Sequence, residues 1–192
     1  MNSQIQPSPP SSGAPRRWVV MGVSGCGKSS IGQLLATALG APYLEGDLYH
    51  PPENVAKMAA GIPLDDADRA GWLARLQAEI AAARAAGGAL VLSCSALKRP
   101  YRDLLRGADP ELAFVHLDGA RALIAARMQA RPNHYMPLSL LDSQLRDLQA
   151  LQPDERGIRL DIGKEPQALI ADILQFQGSH RTNLSPPQKE TP

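Results

Sequence analysis

Two cysteines in 192 residues cannot make a disulfide framework, and their places argue against a single bridge: Cys26 lies in a glycine-rich turn and Cys94 in an apolar run. No Cys/His spacing reads as a zinc site. No apolar run is long enough to span a bilayer, and the first residues lack the basic and apolar segments of a signal peptide. Charge of neither sign is in excess. The formal net charge is +1, which excludes a general binder of nucleic acid or of membrane surfaces. These absences point to a protein of the reducing cytoplasm.

The hydrophobic fraction, 44%, is enough to build the core of one domain. Residues 1–16 and 178–192 are rich in Ser, Pro and Gln and cannot bury apolar surface, so both are expected to be disordered tails flanking a folded unit over 17–177. Within that unit, apolar runs alternate with helical patterns. Strands are expected at 18–21, 41–45, 89–93, 112–117 and 157–162, which implies βαβ units and a parallel, three-layer α/β fold with helices on both faces. Asp65, Asp66 and Asp68 should cap a long helix with Trp72, Leu73, Leu76 and Ile80 as its buried stripe, ended by Gly87-Gly88. Asp118 should cap a helix over 120–128, the Ser139/Asp142 pair one running to Leu148, and Pro166 should open a last helix ending at Phe176.

One stretch organises the chain. Gly22-Val23-Ser24-Gly25-Cys26-Gly27-Lys28-Ser29-Ser30 fits G-x-x-x-x-G-K-[ST], between a predicted strand and a predicted helix. Backbone N–H groups turned inward by such a loop, with the positive end of the helix dipole, cradle nucleotide phosphates. Lys28 would bridge phosphate oxygens and the Ser29 hydroxyl would be a ligand for Mg²⁺.

Ligands of an open parallel sheet bind outside the carboxyl ends of its strands. That rule gathers Glu45, Asp47 and His50 after the second strand and Ser93, Ser95, Lys98 and Arg102 after the third. Asp47 can take a proton from an attacking hydroxyl or hold Mg²⁺ through water. Lys98 and Arg102, one helical turn apart, suit an anionic substrate. The aperiodic stretch 127–137, with Arg127 and Arg131, suggests a lid over the nucleotide. Two further absences narrow the class. The third strand ends without an Asp, and no Asn-Lys-x-Asp guanine motif is present. Both favour a small-molecule kinase using an adenine nucleotide over a GTPase.

Together these residues resemble the gluconokinases of the P-loop type, relatives of shikimate kinase. The resemblance rests on the phosphate loop, on Glu45-Gly46-Asp47-Leu48-Tyr49-His50, on the run from Asn54 through Lys57 to Arg69, on Cys94-Ser95-Ala96-Leu97-Lys98, on His134-Tyr135-Met136 and on Leu140-Leu141-Asp142-Ser143-Gln144. It implies ATP-dependent phosphorylation of D-gluconate to 6-phosphogluconate, a sheet ordered as in nucleoside monophosphate kinases, and a homodimer. It carries substrate contacts to Asp47, His50, Lys57, Arg69, Lys98, Arg102 and His134, and the lid to Arg127 and Arg131. Glu45 stands where the family more often has Asp. Two other readings remain: a kinase for another small hydroxy acid such as shikimate, and a nucleotide-binding regulatory module without phosphoryl transfer.

Overall fold

The computed structural model describes residues 15–130 and 138–182. Five strands, β1 (Arg17–Met21), β2 (Tyr43–Glu45), β3 (Leu90–Ser93), β4 (Ala113–Asp118) and β5 (Gly157–Asp161), form one sheet. All neighbours pair in parallel, in the order β2-β3-β1-β4-β5. Seven helices connect and cover them: α1 (Lys28–Leu39), α2 (Pro52–Ala59), α3 (Asp66–Ala85), α4 (Arg99–Ala108), α5 (Arg121–Gln129), α6 (Leu138–Asp147) and α7 (Pro166–Thr182).

The period of two along a strand sorts side chains onto two faces. Trp18 and Val20 of β1, Val91 of β3 and Ala113, Val115 and Leu117 of β4 join one core with α1, α5 and α7. Val19, Met21, Leu92 and Phe114 join the other, beneath α3 and α4. Strands buried on both faces read as continuous apolar runs, which is why the three central ones are plain in the sequence. The long helix behaves as its pattern predicts. Asp65 and Asp68 complete a capping box, Trp72, Leu73, Leu76 and Ile80 are buried, and the chain leaves the helix through Gly87 at φ 63°.

Three local expectations are corrected. Asp118 caps nothing; it ends β4 and pairs with Arg159, and α5 starts at Arg121 without a side-chain cap. Ser139 lies inside α6, which spans Leu138–Asp147, rather than at its N-cap, and the Asp142 carboxylate pairs with Arg121 at 2.6 Å. The last helix runs past Phe176 to Thr182, so residues 178–182 belong to it rather than to a tail. The rest of both tails, residues 1–14 and 183–192, and lid residues 131–137 lie outside the described residues.

Parallel strands put all five carboxyl ends at one edge of the sheet. The opposite edge is closed by a buried ion pair between Arg17 and Asp109, with Arg17 also donating to the Gly88 carbonyl at 2.7 Å. The chemistry-bearing residues gather at the carboxyl edge.

Candidate active site

Between β1 and α1 the chain makes a tight loop. Gly22 has φ 139°, and a Cβ there would meet the Leu117 carbonyl oxygen at 2.6 Å and Cys26 Sγ at 2.8 Å, so no other residue fits. Its N–H donates to the Ser95 carbonyl at 3.3 Å. Gly27, at φ 101°, leads into α1 without a side-chain cap, which leaves the first N–H groups of the helix facing the loop's concavity. The Lys28 ammonium folds over the loop and donates to the Val23 carbonyl at 3.1 Å. The Ser24 N–H donates to Gln144 Oε1, on α6, at 2.6 Å. Burial pushes the Cys26 thiol up and the Cys94 thiol up to about 12, so neither acts as a nucleophile.

The wall opposite Lys28 follows from one close approach. A Cβ on Gly46 would collide with the Ser93 carbonyl oxygen, so glycine lets the end of β2 lie against β3. Gly46 is fastened there twice: its N–H donates to Ser93 Oγ at 3.3 Å, and the Trp72 indole N–H donates to its carbonyl at 2.7 Å. The 3₁₀ turn Gly46–Tyr49 then presents Asp47, and His50 stacks on Trp72. Burial lowers the His50 pKa, against the raising effect of Asp47 and with a smaller lowering from Arg69. The imidazole is therefore neutral at pH 7 and able to meet a hydroxyl as donor or acceptor.

Glu45, the last residue of β2, is held by hydroxyls. Tyr43 donates to Oε2 at 2.7 Å, Ser93 donates to Oε1, and Ser29 is hydrogen-bonded to the same carboxylate. Burial pushes its pKa up, but the bonds from Ser29, Ser93 and Tyr43 and the charge of Lys28 outweigh burial and hold it below the usual carboxylate range.

These elements enclose one cleft beside the phosphate loop. Ser24, Lys28, Asp47, His50, Arg69, Ser95, Ser143 and Gln144 line its polar side; Met58, Leu64, Trp72, Leu97 and Leu140 supply apolar walls. Arg69 is 8% exposed. Its guanidinium donates to the Tyr101 hydroxyl at 3.1 Å and lies 3.7 Å from the Asp147 carboxylate, which leaves donor capacity towards the cleft. A second pocket lies on the other side of the phosphate loop. Gly25, Cys26, Gly27, Ser30, Arg127, Ile162 and Lys164 line it, and Arg127 donates to the Ile162 carbonyl at 2.9 Å.

The structure thus brings Ser24, Lys28, Asp47, His50 and Arg69 to one cleft, and Gly25, Cys26, Gly27, Ser30 and Arg127 to the other. One expected substrate contact is corrected, and two others are not among the residues lining the cleft with Lys28. Arg102 is fully buried, bound through Nε and Nη2 to Glu155 at 2.6 and 2.8 Å, with Nη1 and Nη2 also donating to backbone carbonyls. Lys98 donates to Asp66 at 2.7 Å. Lys57 donates to Asp68 at 2.5 Å. Arg131 and His134 lie outside the described residues. Trp72 was legible only as core; its second task, holding Gly46 and His50, has no sequence signal. Gln144 and Ser143 stood in a segment that the resemblance marks, but spacing alone gave them no role.

The sequence model of the family described as "Shikimate kinase" matches residues 24–159. A gluconokinase of Gluconobacter oxydans (strain 621H) is 48% identical over 161 residues, covering 84% of this chain and 90% of that protein. A thermosensitive gluconokinase of Escherichia coli (strain K12) is 43% identical over 159 residues, with 82% and 83% covered. The crystal structure of a gluconokinase from Sinorhizobium meliloti 1021 superposes with a TM-score of 0.80 at 44% identity, covering 88% of this chain and 95% of that one.

Proposed function

The chain belongs to the gluconokinase family, within the wider shikimate kinase group, and from that premise we propose that it transfers the γ-phosphoryl group of ATP to D-gluconate, giving 6-phosphogluconate. The observation that carries this reading is the position of the phosphate loop between two clefts. One, with Arg127, suits a nucleotide; the other holds Lys28 facing Asp47. A donor and an acceptor can then meet across Lys28.

The residue roles follow from chemistry. Asp47 accepts the proton of the attacking hydroxyl. Lys28 and the N–H groups of the loop stabilise charge on the phosphoryl group in transit. Hard oxygen donors stand together where Mg²⁺ is expected: the Ser29 hydroxyl and the ionised Glu45 carboxylate, beside Lys28. Ser29 and Glu45 would hold the ion, which when bound neutralises phosphate charge.

Gluconate has a carboxylate at the end remote from the reacting hydroxyl. Arg69 is suited to it, because a planar guanidinium donates two parallel bonds and Arg69 lines the cleft opposite the loop. His50 and Ser95 can meet the hydroxyls between. The folded unit from residue 17, a homodimer and a cytoplasmic setting belong to the same proposal and rest on the sequence resemblance and composition. Among the described residues, no helix is long and apolar enough to cross a membrane.

The test is ADP release with gluconate, shikimate, glucose and sorbitol as acceptors. Turnover with gluconate, and turnover lower by orders of magnitude with glucose and sorbitol, which lack the carboxylate, is the expected result. Faster turnover with shikimate would move the assignment to the other hydroxy-acid kinase. Nucleotide binding with no acceptor-dependent ADP release would make the protein a regulatory module.

A further inference from the structure

Between the end of β3 and the start of α4 the chain turns through Ala96 at φ 42°. That is the left-handed region, where a Cβ crowds the backbone and residues other than glycine are uncommon. Ala96 is fully buried. The turn has a consequence for the site. It aims the Ser95 carbonyl at the phosphate loop, where it accepts the Gly22 N–H at 3.3 Å, and it leaves Ser95 on the wall of the substrate cleft.

Something must hold a buried alanine in that conformation, and Arg102 is placed to do it. Its Nη1 donates to the carbonyls of Ala96 at 3.3 Å and Leu97 at 3.2 Å. The same nitrogen reaches the Gln149 carbonyl at 3.0 Å, and Nη2 reaches that of Ala150 at 3.3 Å. Glu155 fixes the guanidinium from behind through Nε and Nη2, and also accepts the Gln152 N–H at 2.9 Å. The segment so fastened follows α6, the helix whose Gln144 accepts the Ser24 N–H. One guanidinium therefore joins two supports of the phosphate loop. Buried ion pairs are often no more stable than apolar packing, so stability alone is a weak reason for this one. A planar fork that fixes several carbonyls at set angles is a better reason.

We infer that Arg102 and Glu155 are positioning residues for phosphoryl transfer: their buried pair holds Ala96 left-handed and thereby keeps the Ser95 carbonyl on the Gly22 N–H. The inference rests on the kinase reading above. The test is Glu155→Gln, which keeps shape and removes charge, measured alone and combined with Ala96→Gly, which lets the turn form without help. Glu155→Gln should lower kcat roughly tenfold, below the ~100-fold cost of a 1 Å misplacement, with KM for ATP little changed. Amide exchange should quicken at Gly22 and not at Val20. Adding Ala96→Gly should recover most of the lost kcat and slow the Gly22 exchange again, a coupling that a purely structural pair does not produce. A lowered Tm with kcat and Gly22 exchange unchanged would overturn the inference, as would failure of Ala96→Gly to restore either. If Glu155→Gln does not fold, Arg102→Lys, with and without Ala96→Gly, gives the same comparison. If the wild-type chain shows no gluconate-dependent turnover, the kinase reading fails, while Gly22 exchange still decides whether the pair holds the turn.

Discussion

The imidazole of His50 lies flat on the indole of Trp72, ring centroids 4.1 Å apart and planes 16° from parallel. The same indole donates its N–H to the Gly46 carbonyl, next to Asp47 in the chain. Trp72→Phe keeps a ring beneath His50 and takes away the side-chain donor to that carbonyl. A net hydrogen bond is worth about 0.5–1.5 kcal/mol. We expect a lower Tm and a kcat reduced more than KM for ATP, since Gly46 carries Asp47. Normal Tm and kcat together would show that the indole supports neither.

Asp47→Asn keeps size and removes both charge and basicity. A general base is typically worth about 10²–10⁴ in rate. We expect kcat to fall within that range and nucleotide affinity, read by equilibrium binding, to hold. Unchanged kcat would pass the role of base to another group in the cleft.

The two arginines that the sequence assigns to the substrate should separate cleanly. Arg69→Leu should raise KM for gluconate steeply and leave KM for ATP nearly unchanged. Arg102→Leu should instead unfold at a lower temperature, because it leaves Glu155 charged and buried without its ion-pair partner, a loss of about 3–5 kcal/mol for such pairs. If Arg69→Leu leaves gluconate KM unaltered, the carboxylate lies elsewhere.

Acid should destabilise the fold through His116. Among the described residues neither of its buried ring nitrogens has a hydrogen-bond partner, and alternation along β4 puts it on the side of Phe114, beneath α3 and α4. Burial lowers its pKa below the ordinary 6.5, with Asp118 opposing and Arg159 and Arg102 adding to the effect. A depressed histidine pKa means that the folded state prefers the neutral ring. Its contribution is complete above the unfolded pKa and is lost as pH falls below 6.5 towards the folded value. Between about pH 7.5 and about pH 5.5, Tm should fall less in His116→Gln than in the wild type. Equal falls would assign the acid loss to other groups, His50 first.

The phosphate loop, the sheet and the cap of α3 were legible because each is written in adjacent residues: glycines at fixed spacing, apolar runs buried on both faces, Asp65 three places before Asp68. What was not legible depends on partners far along the chain. Spacing suggested that Lys98 and Arg102 share a helix face, yet Lys98 is the extended residue before α4 and Arg102 turns inward to a glutamate 53 positions later. Asp118 and Asp142 look like caps until their arginines, Arg159 and Arg121, are known. Trp72 read as core and is core; only the fold reveals that its one polar atom reaches Gly46.

An N–H has a single hydrogen to give, and that of Ser24 is given to Gln144. A phosphate oxygen that takes it must displace the glutamine, and the glutamine rides on α6. Occupancy of the loop and release of that side chain are then one exchange of partners. A residue at 144 with no acceptor would remove the competition and tighten nucleotide binding from outside the nucleotide pocket.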